Sequence, residues 1–187
     1  EEKIDPAELE YVVELKIDGA ALSLVYEGRK LVRAVTRGDG ITGDDITANA
    51  RAIASIPLEL PGSLPSGAFE VRGEVYLSLS NCQELYEYTL KVLGQELQNP
   101  RNTAAGSLKL KDPKIAARRK LDFFAYSLAG ASNGTTHWDN LALLEDAGFP
   151  VNPVRKRVRT LEEILEFCNR WDTGRDSLDY NIDGMVI

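Results

Sequence analysis

Tyr11–Ile17 alternates strictly, and the alternation gathers three ionisable groups on one face. Tyr11, Val13, Leu15 and Ile17 point one way, and Val12, Glu14, Lys16 and Asp18 the other. That two-residue period is the period of a strand. Burying charge is costly unless it is paired. The charged face therefore looks either into solvent, as on an edge strand, or into a polar cleft. Residues 69–77 repeat the theme. Phe69, Val71 and Val75 share one face, and Glu70, Arg72, Glu74 and Tyr76 the other. Gly73 leaves room for another group to approach the backbone there. Two strands that each spend a face on charge suggest a shared cleft, or a solvent-facing sheet with cross-strand ion pairs.

The remaining pattern predicts more strands, joined mostly by turns. Residues 20–26 and 31–36 form a hairpin around Glu27-Gly28-Arg29-Lys30. Asp44 or Asp45 caps a helix carrying Ile46, Ala50, Ile53 and Ala54, stopped by Pro57. Residues 59–68 form a Pro/Gly/Ser loop. Ser80, with Gln83 three residues on, starts a helix with the stripe Cys82, Leu85, Tyr86, Thr89, Leu90 and Leu93. Asn99-Pro100 breaks that helix, and a short helix follows over 103–110. A strand spans 121–128. A helix over 136–147 is ended by Gly148. Thr160 and Glu163 cap a helix bearing Leu161, Ile164, Leu165, Cys168 and Trp171, and 182–187 is a final strand. Hairpins outnumber strand–helix–strand crossovers, which predicts an α+β fold with antiparallel sheets.

A chain of 187 residues makes one domain, with room for two lobes. No apolar stretch approaches the ~20 residues of a membrane span. Residues 1–3 lead straight into polar sequence, with no signal peptide. Cys82 and Cys168 fall on helix stripes and read as buried thiols of a reducing compartment, so the expected setting is the cytoplasm. With His137 the only histidine, and no cysteine pair at ligand spacing, neither a zinc site nor a Ser–His–Asp triad is expected. The net charge of −7 argues mildly against a nucleic-acid surface over the whole chain. Residues 101–120, however, carry seven basic side chains against one acidic. That block, like Arg155, Lys156, Arg157 and Arg159, is either a solvated surface or a phosphate-binding one.

Gly38-Asp39-Gly40-Ile41-Thr42-Gly43 matches G-x-G-x-x-G. The strand before it is half of a hairpin, which argues against a dinucleotide fingerprint. Arg37-Gly38-Asp39 spells an integrin-binding tripeptide by chance.

Glu14-Leu15-Lys16-Ile17-Asp18-Gly19 contains K-x-D-G, the signature of lysine-adenylating ligases and capping enzymes. Thr36-Arg37-Gly38-Asp39-Gly40 and Val71-Arg72-Gly73-Glu74-Val75 follow it. So do Asn99-Pro100-Arg101-Asn102-Thr103-Ala104-Ala105-Gly106-Ser107-Leu108, Leu121-Asp122-Phe123-Phe124-Ala125-Tyr126 and Asp183-Gly184-Met185-Val186-Ile187. In this order they resemble the adenylation domain of bacterial NAD-dependent DNA ligases over nearly the whole chain. An ATP- or GTP-dependent RNA ligase or capping enzyme of the same superfamily is one alternative. The Asn99–Leu108 stretch argues against it, since it resembles a signature of the NAD-dependent branch. A non-catalytic nucleotide-binding module is the remaining alternative.

The resemblance implies a nucleotidyltransferase fold, with antiparallel sheets around a nucleotide cleft. It implies that Lys16 attacks NAD, releases nicotinamide mononucleotide and holds AMP as a phosphoramidate. AMP then activates the 5′-phosphate of nicked DNA, in replication and repair. Glu14 would read the adenine, with Leu15 and Gly19 also at the cofactor. Asp18 and Glu74 would serve the ribose and Mg²⁺ region, and Asp183 would support the lysine. Arg37, Arg101 and Lys109 would meet phosphate or DNA. Lys109 stands where the family usually has arginine, and so lacks the planar fork. Glu14 and Asp18 beside Lys16 favour its charged form. The nucleophile must be neutral, so a cation such as Mg²⁺ is expected to offset them. The resemblance also implies residues 1–187 are a monomeric adenylation domain truncated at both ends, with any zinc confined to a module outside it. Such a piece is expected to bind adenine nucleotides weakly, to self-adenylate from NAD slowly or not at all, and to seal no nicks.

Overall fold

In the computed structural model, residues 9–61, 67–93, 97, 99–130 and 136–187 are described. The charged strand β1 (Tyr11–Ile17) is not an edge. It lies between two antiparallel neighbours, β6 (Arg155–Val158) and β7 (Ile182–Val186), in a three-stranded sheet. The other strands form a four-stranded antiparallel sheet in the order β3 (Lys30–Thr36), β2 (Ala20–Glu27), β4 (Phe69–Tyr76), β5 (Asp122–Ala129). The expected α+β architecture with antiparallel sheets is present. The β2–β3 hairpin turns at Gly28 and Arg29, both at positive φ (55° and 67°), the combination a two-residue primed turn requires. The G-x-G-x-x-G loop thus follows an antiparallel hairpin, which excludes the parallel unit of a dinucleotide fingerprint.

Two apolar cores result. The larger packs Leu22, Leu24, Tyr26, Val71, Val75 and Phe123 of the four-stranded sheet against helices α1 (Thr47–Ala50), α3 (Pro100–Leu108) and α5 (His137–Asp146). The smaller packs Val13, Leu15 and Val158 against α6 (Leu161–Gly174). The close approach expected at Gly73 occurs on the core side. A Cβ there would sit 2.2 Å from the Phe123 ring and 2.3 Å from the Phe124 carbonyl oxygen.

Several helix boundaries differ from expectation because tertiary contacts override local signals. The helix expected up to Pro57 is only the four residues of α1. Asp45 accepts from the Thr47 N–H and hydroxyl, while Ala34 N–H donates to Thr47 Oγ1 and Ile46 N–H to the Ala34 carbonyl. The segment is thereby pinned to β3, and tighter turns continue it. Helix α2 (Leu79–Leu93) begins one residue early. The hydroxyl of Ser78 accepts from Asn81 N–H, whereas Ser80 is engaged by the Asp179 carboxylate and Gln83 donates to Glu87. Of its stripe Thr89 is buried and Leu90 exposed, and the Leu93 side chain lies outside the described residues. Cys82 and Cys168 are half-buried.

Asn99-Pro100, expected to break the preceding helix, starts α3; most residues between it and Leu93 lie outside the described ones. Asn99 accepts from Asn102 N–H and proline takes the first helical position, where its missing N–H costs nothing. A short helix α4 (Pro113–Ala117) has no counterpart in the sequence pattern. Nor has β6, whose run of charges hides a strand. The arginines of this run are paired: Arg155 with Glu145, and Arg157 and Arg159 with Glu10. Arg155 and Arg157 also lie over the Trp138 ring. Part of the 59–68 loop lies outside the described residues.

Helix α6 carries the expected capping box: Thr160 accepts from Glu163 N–H while the Glu163 carboxylate accepts from Thr160 N–H. Its buried residues are Ile164 and Phe167, whereas Leu161 and Leu165 are exposed. Thr160→Ala is expected to cost about 1 kcal/mol, measured as a shift of the urea midpoint at unchanged slope. An unchanged midpoint would show that the box carries no stability.

Candidate functional site

A cleft of about 770 Å³ opens between the two sheets. Glu14, Leu15, Lys16 and Ile17 of β1 line it, with Gly19, Ala20 and Ala21 at the start of β2. Arg37 lies where β3 ends, Glu74 on β4, Phe124 and Tyr126 on β5, and Arg101 and Lys109 on and just after α3. The volume suits a small organic ligand. A second, more open groove of about 790 Å³ runs beside it between residues 44–51 and 108–113. It shares Leu108 and Lys109 but holds none of the charges around Lys16, so the chemistry is assigned to the first cleft.

Pairing of β1 with β7 sets Lys16 opposite Gly184, with a register shift beside it. Asp183 thereby reaches Lys16: its Oδ1 is 2.5 Å from Nζ. Arg101 spans the two acids, 3.1 Å from Asp18 Oδ1 and 3.7 Å from Asp183 Oδ2. The sequence expectation needed a cation to offset both Glu14 and Asp18. In the structure Asp18 has Arg101, and the acid on Lys16 is Asp183, from a strand 167 residues away.

Glu14 is buried, at 7% relative exposure. Its Oε2 lies 2.6 Å from His137 Nε2, at the start of α5. Glu74 sits on the cleft floor. Burial is the main reason its carboxyl is pushed up to about 7; Asp183 adds to this, while Lys16, Arg101 and the Gly19 N–H oppose it. Gly19 lies against the β4 backbone, where a Cβ would come 2.3 Å from the Val75 carbonyl oxygen. Leu15 contributes its side chain to the smaller core, so its backbone is what it offers a ligand. Arg37 is exposed at the cleft edge with no ion pair among the described residues, and Lys109 pairs with Asp44 at 2.7 Å.

All ten residues singled out from the sequence thus lie in or beside one cleft. His137, Tyr126 and Asn152 also line it and were not singled out. Tyr126 ends a stretch that carried the family resemblance. His137 and Asn152 had no signal, because their place at the cleft depends on α5 and the segment before β6.

The family described as NAD-dependent DNA ligase adenylation domain matches over residues 1–187. Among curated proteins, the DNA ligase of Natranaerobius thermophilus is 45% identical over all of this chain and 28% of its own length. That of Roseiflexus castenholzii is 45% identical over 97% of this chain and 27% of its own length. That of Marinobacter nauticus is 47% identical over 95% and 27%. The chain therefore spans about a quarter of the length of these relatives. No helix among the described residues is long and apolar enough to cross a membrane.

Proposed function

The chain belongs to the NAD-dependent DNA ligase adenylation domain family, and on that premise we propose that its cleft binds the adenylate half of NAD and that Lys16 accepts AMP. The observation carrying this reading is the Lys16–Asp183–Arg101–Asp18 cluster, set in a cleft that also holds a buried acid and an aromatic ring.

The Lys16 amine attacks the α-phosphorus of NAD. A nitrogen–phosphorus bond forms as the phosphorus–oxygen bond to nicotinamide mononucleotide breaks. The attacking amine must give up a proton, and Asp183, 2.5 Å from Nζ, is the base within reach. Arg101 holds Asp18 and Asp183 in place and keeps guanidinium N–H groups for phosphate. Tyr126 and Phe124 offer ring faces to the adenine, and Glu14 accepts from its amino group. Glu74 and Asp18 face the ribose side, with Leu15 and Gly19 giving backbone contacts. Arg37 and Lys109 meet phosphate at the cleft edge.

Among the described residues no group of three side chains could by itself hold a metal ion. Mg²⁺ usually takes only one or two carboxylates, with substrate phosphates and water completing its shell. Glu74 and Asp18 would hold it, and the ion would offset phosphate charge. Within the longer protein, as a cytoplasmic monomer, residues 1–187 would form the domain that passes AMP to the 5′-phosphate of nicked DNA, which the 3′-hydroxyl then displaces.

Titration with AMP followed by amide NMR tests the cleft. The amides of Leu15, Gly19 and Tyr126 are expected to shift, and those of Ile164 and Phe167 on α6 to stay. Glu14→Gln is expected to weaken AMP binding about tenfold, the share of one hydrogen bond to a charged group. Shifts confined to α6, or unaltered affinity in Glu14→Gln, would contradict the assignment.

A further inference from the structure

Asn152 is 5% exposed and borders the cleft with Glu14, His137 and Phe124. Its acceptors are all used. Oδ1 takes the Val154 N–H at 2.8 Å and the Tyr180 hydroxyl at 3.1 Å, and its carbonyl oxygen takes Arg155 Nη1–H at 3.0 Å. Its donor is not used: Nδ2 is buried and has no hydrogen-bond partner. Turning the amide over would set an NH₂ group against the Val154 N–H, which can only donate, so that contact fixes which atom is which. Most buried donors in folded proteins are paired, and an orphan calls for an explanation.

We propose that Asn152 is a base-reading residue, its Nδ2–H donating to a ring nitrogen of the purine whose amino group faces Glu14. This rests on the nucleotide reading of the cleft. Adenine presents an amino donor next to a ring acceptor along an edge, whereas guanine presents a carbonyl oxygen at the amino position. An acceptor at Glu14 beside a donor at Asn152 matches adenine and turns guanine away, because a carbonyl oxygen against the Glu14 carboxylate makes no hydrogen bond.

Nδ2 is closed to solvent, so the cleft wall must shift to admit the base. His137 is the side chain placed to move: it is 43% exposed, and the contact holding it is to Glu14, the acid the base engages. A base that takes Glu14 releases His137, so the two contacts form together.

Calorimetric titration of the protein with AMP, 1-deaza-AMP, 7-deaza-AMP and GMP tests this. Asn152→Asp keeps Oδ1 for its two donors and removes the amide N–H. It also adds a carboxylate charge, whose effect is the same for every nucleotide, so the deaza analogues isolate the hydrogen bond. Glu14→Gln serves as the reference. The expected result is a loss of about tenfold or more in AMP affinity for Asn152→Asp. The hydrogen bond's part of that loss should vanish with whichever deaza analogue lacks the ring nitrogen, as coupled partners require. Wild-type protein should prefer AMP to GMP by at least about tenfold. An Asn152→Asp variant that binds AMP as the wild type does, or that loses equally with both analogues, overturns the inference while leaving the Glu14 assignment standing. AMP binding unaffected by Glu14→Gln, or absent in the wild type, overturns the nucleotide reading and the inference with it.

Discussion

Gly73→Ala is expected to destabilise the fold by about 3–4 kcal/mol, a large share of the 5–15 kcal/mol that holds a typical domain together. The new methyl would lie 2.2 Å from the Phe123 ring and 2.3 Å from the Phe124 carbonyl oxygen. Phe123 is fully buried, with Phe149 beside it, and cannot swing away into solvent. The carbonyl belongs to β5, so it yields only if the β4–β5 pairing opens. Arg72→Ala, one residue away, removes a side chain that is half-exposed and bound to Glu70 at 2.7 Å. Surface pairs contribute about 0–1 kcal/mol, so that variant serves as the control. Urea unfolding followed by circular dichroism separates the two. A Gly73→Ala loss below about 1 kcal/mol would mean that the Phe123 side of the core has slack that the structure does not show.

Glu74→Gln is expected to stabilise the protein above neutral pH by about 2–3 kcal/mol while disabling the cleft. Burial lifts the Glu74 carboxyl from 4.5 to about 7. Between those values the folded protein keeps a proton that the unfolded chain has lost, so stability is full below about 4.5 and is lost as pH rises through about 7. At 1.36 kcal/mol per unit the shift corresponds to roughly 3 kcal/mol, a little less with partial access from the cleft. Glutamine is neutral throughout and removes the slope. Urea midpoints of both proteins from pH 4 to 9 check the sign: the curves should meet in acid, part as pH rises from about 4.5 to about 7, and keep a constant gap above that, with the variant higher. Parallel curves throughout would mean that Glu74 titrates alike in the folded and unfolded protein.

The strands of the cleft were legible because their period is two and their charged faces were conspicuous. Lys16, Asp18, Glu74 and Asp183 could be named from spacing and family resemblance, and the structure gathers them. Who pairs with whom was not legible. Asp183 reaches Lys16 through the β1–β7 register, and Glu14 meets the first residue of α5, 123 positions away. Neither fact has a local signature. The basic run of β6 hid a strand for a related reason. Charge suggests solvent until partners are known, and Glu10, Glu145 and Trp138 come from distant segments. The misplaced caps at Ser80 and Asn99-Pro100 show the limit of local rules. Asp179 claims Ser80 from across the molecule, and Asn-Pro can begin a helix as readily as end one.

The most direct test of the central claim is the mass of the protein and its peptides after long incubation with NAD and Mg²⁺, alongside Lys16→Ala. Turnover is not required, so a slow reaction still leaves its mark. One AMP adduct, located on the peptide containing Lys16 and absent from the variant, is the predicted result. An adduct on another residue, or one that persists in Lys16→Ala, would contradict the assignment of Lys16 as the nucleophile.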